Sequence, residues 1–252
     1  MKEKTEAIAF YSPKGGVGKS TVAICVASYM YYMMDEDIEF KDFDYPQYSA
    51  YNLREREIRL IKEMPEWNVA ASSFFKKLGK KTYPICKCRL GDPSTGRLGN
   101  KENHQYCFYD YTGALYIDGL LATLARMEYI IIPIIADRFV MESALEFAKM
   151  YNDNLLTTGK TNTKGVFFLW NMVDNREKTE LYSIYEQIIH QLGLSILNTY
   201  LPDSKRFRKE ISVVKKGIGK STFFPMDYNF LKGSNIKELA EEIKGIVNNG
   251  KK

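Results

Sequence analysis

The chain has 252 residues, 45% hydrophobic and 27% charged, with a net charge of +5, which is ordinary for a folded chain and predicts a single domain spanning 1–252. Four cysteines, Cys25, Cys86, Cys88 and Cys107, are too few and too irregularly spaced for a disulfide framework, so a reducing, cytoplasmic setting is expected. Residues 1–10 hold two acids and a short apolar run, unlike a secretion signal, and the apolar segments 22–34 and 129–136 fall short of the roughly 20 residues of a membrane-spanning helix.

In chain order, residues 5–12 read as a strand, followed by a glycine loop and a helix over about 19–34. A second strand covers 37–44. Helical period then runs through 49–64, with charges over one face, and again through 66–81. Residues 82–90 read as a strand and 91–103, rich in turn formers, as a surface loop. Strands at 105–110, 129–135, 165–173 and 195–201 then alternate with helices at 117–127, 141–156 and 177–192, and a last helix covers 235–247. Strand followed by helix, repeated with nearly all-apolar strands, predicts a doubly wound α/β fold, a mostly parallel sheet with helices on both faces. Ligands in such sheets sit where strands end and helices begin.

The segment YSPKGGVGKSTV lies at the first of those junctions. Gly15, Gly16, Val17 and Gly18 can turn backbone N–H groups inward around phosphate oxygens, with the positive end of the following helix behind them. Lys19 would reach the β and γ phosphates, Ser20 would ligate Mg²⁺ and Thr21 would touch the α phosphate. The strict P-loop spacing requires glycine where this chain has Pro13, and a second lysine, Lys14, stands early in the loop.

KGGVGKST resembles the deviant Walker A motif of the ParA/MinD family of P-loop ATPases, and the resemblance implies the P-loop NTPase fold, ATP and Mg²⁺ as cofactors, and slow hydrolysis to ADP and phosphate. In that family the early lysine reaches across a dimer interface, so Lys14 would serve the ATP of the opposite subunit and hydrolysis would depend on an ATP-dependent homodimer. KDFDYPQYSA is similar to the family's D-x-D-P-Q segment: Asp42 would stand near the Mg²⁺ shell, and Asp44 would position or deprotonate the attacking water. Tyr45 is one residue more than that pattern has. QYCFYD resembles a Walker B strand ending in Asp110, which would hold a metal-bound water. It continues as Tyr111, Thr112 and Gly113, where the family more often has proline beside the glycine. Asn171 matches a position that contacts adenine and Pro202 is a second such position; either could equally be a strand-end cap or turn. The segments DYPQYS and LPDSKRFRKE are most like ParA-type proteins of conjugative elements, the TraA-like group, which implies a role in partitioning or transfer of mobile DNA together with a partner protein that stimulates hydrolysis.

From 205 to 220 there are seven basic residues against one acid, Glu210. By the family's behaviour Lys205, Arg206, Arg208, Lys209, Lys215 and Lys216 would hold DNA without sequence preference, possible nucleoid association following from it; a solvated helix face is the alternative. A second stretch, 76–89, has six basic residues and no acid. Cys86, Cys88, His104 and Cys107 make a poor zinc set, since their alternation suits core positions. The apolar stripe of the last helix, Ile236, Leu239, Ala240, Ile243, Ile246 and Val247, suits core closure better than membrane attachment. Two rival functions share the fold: a MinD-like positioning ATPase at a membrane, and an ATP-dependent small-molecule ligase or synthase.

Overall fold

The strand segments pair side by side in the computed structural model, which describes residues 5–92, 104–113, 118–174, 176, 180–212 and 217–250. Strands β1 (Glu6–Phe10), β2 (Ile38–Phe43), β3 (Ile85–Lys87), β4 (Tyr106–Tyr111), β5 (Tyr129–Ile134), β6 (Gly165–Trp170) and β7 (Ser195–Ile196) form one sheet in the order β3-β2-β4-β1-β5-β6-β7. Every neighbouring pair is parallel, so all strands end at one edge and each connection must cross a face of the sheet. Every residue of β1, β2, β4 and β5 is buried, as a parallel sheet covered on both sides requires.

Alternating residues build two cores. Ile8, Phe10, Phe40 and Phe108 face α1 (Lys19–Met33) and α8 (Ile236–Asn249), with the Phe10 and Phe108 rings stacked 5.6 Å apart. Ala7, Ala9, Tyr109 and Ile130 face α4 (Leu120–Leu124), α5 (Arg138–Tyr151) and α6 (Glu180–Gln191). The stripe of α8 is spent in this way, since Ile236, Leu239, Ala240, Ile243 and Val247 are buried in the first core. Among the described residues no helix is long and apolar enough to cross a membrane.

Helix α2 (Ser49–Glu63) carries its charges inward as well as outward. Arg54 and Glu57 are buried, and both grip Thr222: the guanidinium donates to Thr222 Oγ1 at 2.9 Å and to its carbonyl at 2.7 Å, while Glu57 accepts from the Thr222 amide at 3.1 Å. The guanidinium also donates to the carbonyl of Tyr83 at 3.1 Å, so two distant segments are pinned to one helix. Outside this core, Arg56 pairs with Glu210 at 2.9 Å.

Several elements differ from their sequence patterns. The helix expected over 66–81 forms as α3 (Pro65–Leu78) and stops at Gly79, whose φ of 72° ends the helical run. The strand expected over 82–90 shrinks to β3, an edge strand whose neighbour Pro84 has no N–H to give. The one over 195–201 shrinks to β7, at the other edge. Helix α5 starts before 141 because the Asp137 side chain accepts from Val140 N at 2.9 Å and caps it. Its last turn widens into a π turn, Asn152–Leu156. The basic stretch gives a single 3₁₀ turn, Lys205–Arg208, and an antiparallel hairpin of β8 (Ile211–Ser212) and β9 (Gly217–Ile218), with the one-turn helix α7 (Tyr228–Leu231) leading on to α8. Strands of two residues carry no periodic signal to read.

Candidate functional site

The glycine loop joins β1 to α1, and its geometry follows from its sequence. Gly18 caps α1 in the left-handed region, φ 85°, and a Cβ there would stand 2.3 Å from Nδ2 of Asn171, so only glycine fits. Asn171 donates that amide to the carbonyl of Val17 at 2.8 Å, which ties the end of β6 to the loop. Gly15 and Gly16 are exposed, with nothing within 4 Å of where a Cβ would be. The two lysines have separate situations. Lys19 is buried and its ammonium donates to the carbonyl of Lys14 at 2.9 Å, whereas Lys14 is exposed. Burial lowers the Lys19 pKa, with Asp110 and Asp44 acting against that shift.

Sheet register sets the carboxylates. Asp110, on central β4, lies level with Phe10 of β1 on one side and with Asp42 of β2 on the other. Asp42 is fully buried and turned to backbone: Oδ2 accepts from Ala50 N at 2.9 Å and Tyr51 N at 3.0 Å, the amino end of α2, and Oδ1 accepts from Asp44 N at 3.1 Å. Burial raises its pKa, and those three N–H groups oppose the rise. Asp42 therefore anchors the loop 44–48, and its remaining lone pair is all it could offer a cation shell. Asp44 accepts from Ser49 Oγ at 2.8 Å. Sequence reasoning passed over Ser49, though a serine opening a helix five residues after an acid is a readable sign of such a clasp.

Asp110 is fully buried, and among the described residues neither of its oxygens has a hydrogen-bond partner. Burial holds its carboxyl well above the usual range; Ser20 and Lys19 nearby pull the other way, and Asp42 and Asp44 add to the rise. An orphaned carboxylate beside a P-loop serine has the donor set that Mg²⁺ accepts, one or two carboxylate or hydroxyl oxygens completed by water and phosphate. Among the described residues no group of three or more His, Cys, Asp and Glu side chains is arranged to hold a metal, Cys86, Cys88, His104 and Cys107 included.

Gly113, noted in the sequence only as part of the continuation after β4 and not as a site residue, closes that loop against the glycine loop. A Cβ there would lie 2.7 Å from the Lys19 ammonium and 2.8 and 2.9 Å from the carbonyl oxygen and carbon of Lys14. Backbone cannot give way as a side-chain tip can, so Gly113→Ala should cost about 1–3 kcal/mol of stability and displace Lys19. Denaturant unfolding and titration with a fluorescent ATP analogue check it: the expected outcome is a lower unfolding midpoint and at least about tenfold weaker binding, the effect of removing one charge-assisted hydrogen bond.

A cavity of about 90 Å³ beside the loop is lined by Gly18, Thr21, Asn171, Met172, Pro202 and Arg208, so the two candidate base contacts do converge on the P-loop. The basic residues scatter. Arg206 donates to the carbonyl of Phe230 at 3.0 Å, to that of Lys232, and to Ser204 Oγ at 3.1 Å. Arg208 faces the cavity just described, and Lys220 lines a second one of about 230 Å³ with Ser20, Thr21 and Arg56. Lys205 and Lys209 are exposed, and Lys215 and Lys216 lie outside the described residues.

A family model described as "CobQ/CobB/MinD/ParA nucleotide binding domain" matches residues 8–216. No curated protein matches the chain by sequence. Among solved structures, a putative plasmid partition protein from Borrelia burgdorferi bound to AMPPNP is similar with a TM-score of 0.59 and 16% identity, over 96% of this chain and all of that one (100%). The MinD cell division protein of Aquifex aeolicus is similar with a TM-score of 0.59 and 16% identity, over 96% of this chain and 97% of that one. A ParA family ATPase from Chlorobium tepidum is similar with a TM-score of 0.51 and 13% identity, over 94% of each. At such identities these likenesses speak for the fold.

Proposed function

Because the chain belongs to the CobQ/CobB/MinD/ParA nucleotide-binding domain family, we propose that it is a slow ATPase switch of ParA type, acting as one unit over 1–252 in partitioning or transfer of a plasmid or conjugative element. ATP would lie along Gly15 to Thr21 with its base against Asn171 and Pro202. Ser20 and Asp110 would hold Mg²⁺, which supplies neutralising charge at the β and γ phosphates. Asp44, clasped by Ser49, would orient the attacking water and accept its proton. Lys14 carries the reading: its carbonyl serves Lys19 while its ammonium is left to solvent, the disposition expected of a cation that completes a neighbour's site. Exposed Phe139 and Met172 sit at the same edge of the sheet, just after β5 and β6, and give a second copy apolar surface to cover.

The ATP-bound dimer would grip duplex DNA through its phosphates. Lys205 and Lys209 are the described residues best placed for that, since Arg206 is committed to carbonyl groups.

Sedimentation with and without ATP, Mg²⁺ and nonspecific duplex DNA tests the reading. ATP should double the mass and bring DNA down with the protein. Lys205→Glu with Lys209→Glu should keep the dimer, weaken DNA retention and flatten its salt dependence by about 0.9 in log–log slope for each phosphate no longer neutralised. A subunit that stays single at saturating ATP sinks the switch; a dimer indifferent to DNA moves the output to a membrane or a small substrate.

A further inference from the structure

Tyrosine is a poor choice for the local backbone at position 48. Tyr48 caps the amino end of α2 with φ 43° and ψ 61°, in the left-handed region, and gives no side-chain hydrogen bond to the helix. Serine, aspartate, asparagine or glycine would cap better, and a bulky side chain in that conformation costs about 1–2 kcal/mol. Such an outlier points to work done by the side chain.

The ring's surroundings say what kind of work. It meets the Tyr45 ring edge-on at 5.8 Å, and the Lys87 ammonium lies 5.1 Å from its centroid. Lys87 also lies 4.4 Å from the Tyr51 ring centroid, and the Arg89 guanidinium 4.6 Å from that of Tyr45. Three rings and two cations are thus gathered from two segments that the pairing of β2 with β3 brings together at one sheet edge. Tyr45 is 48% exposed, and Lys87 and Arg89 are exposed. The stretch 76–89 holds no acid, and its exposed cations at the carboxyl end of β3, Lys87 and Arg89, are the ones that stand beside the rings.

We propose that this platform binds single-stranded nucleic acid, with bases stacked on Tyr45, Tyr48 and Tyr51 and phosphates held by Lys87 and Arg89. Alternating aromatic faces and cations match a strand that offers bases and phosphates in turn. An acidic peptide would use the cations and leave the rings idle, and a duplex hides its base faces in its own stack. The adenine of bound ATP is not the occupant, because the base-side cavity lies by Asn171 and Pro202, at the carboxyl ends of β6 and its neighbours. This site is independent of the duplex contacts assigned to Lys205 and Lys209.

Fluorescence anisotropy with labelled oligothymidylate, and with a hairpin duplex of equal length, tests it on the full chain. The wild type should bind the single strand more tightly than the duplex. Tyr48→Gly removes the ring where glycine is the easier residue, so its thermal midpoint should not fall, while single-strand affinity drops by about fivefold or more, the lower end of one base's stacking contribution. Adding Tyr45→Ser should deepen the drop, with duplex affinity unchanged throughout. Undiminished oligothymidylate binding in the double variant overturns the proposal. So does polyglutamate displacing the oligonucleotide at equal charge, which would assign the platform to an acidic protein. Weakened duplex retention in Lys205→Glu, Lys209→Glu is read in the same titrations and bears on the proposed switch alone.

Discussion

Lys14→Gln should lower the rate of ATP hydrolysis by about a thousandfold, the low end of what a cation inserted into a phosphoryl-transfer site contributes, and leave nucleotide affinity within a few-fold. The argument turns on which part of Lys14 does what. Its carbonyl fixes the Lys19 ammonium at 2.9 Å and survives the substitution. Its ammonium belongs to an exposed side chain and holds no part of its own P-loop among the described residues, so its removal disturbs neither the glycine loop nor Lys19. On the proposed reading, what would disappear is positive charge aimed at the bond that breaks, and charge of that kind acts on the transition state more than on the ground state. Hydrolysis rate at saturating ATP, measured as protein concentration rises, should climb steeply for the wild type and stay flat for the variant. Turnover in the wild type that is independent of concentration would show that Lys14 serves its own subunit's nucleotide or none.

The sequence made the sheet legible because its information is local. Runs such as YIIIPI are apolar, rich in β-branched residues and of strand length, the pattern of an interior parallel strand, and they are buried at every position. The P-loop was legible for the same reason: its glycines and lysine work by backbone conformation a few residues apart, as Gly18 does with φ 85°. The edges were less so: β3 and β7 are short strands at the two edges of the sheet, where the sequence pattern ran longer than the pairing does. The contacts that complete the site were hidden altogether. Gly113 matters because β4 brings it against Lys14, about a hundred residues away in sequence. The basic stretch reads as one patch along the chain, yet a 3₁₀ turn and a hairpin aim its members at a carbonyl pair, the cavity beside the glycine loop and solvent in turn. Charge counts along a sequence say nothing of direction once the backbone turns.

Asp110→Asn separates the cost of the site from its use. In the nucleotide-free protein this carboxylate is fully buried and unpartnered among the described residues, and burial is the main reason its pKa is raised. Above the unfolded value of about 4 the native state therefore binds more protons at this position than the unfolded state does. Stability contributed here is present at low pH and lost as pH rises from about 4 toward the raised native value. The amide cannot ionise, so the variant escapes that loss, and its advantage over the wild type should widen as pH rises toward neutrality. Escaping that loss should raise the thermal midpoint, by about 2–4 °C for each kcal/mol gained at this chain length. Hydrolysis should move the opposite way, falling by about a hundredfold or more, because the amide supplies no charge to hold a cation beside Ser20. Midpoints across pH, without nucleotide and then with Mg²⁺ and AMPPNP, check both halves: the wild type should overtake the variant only when the ligand is added. A variant less stable than the wild type at neutral pH without ligand would mean that Asp110 is already paired, and that burial is not what sets its charge.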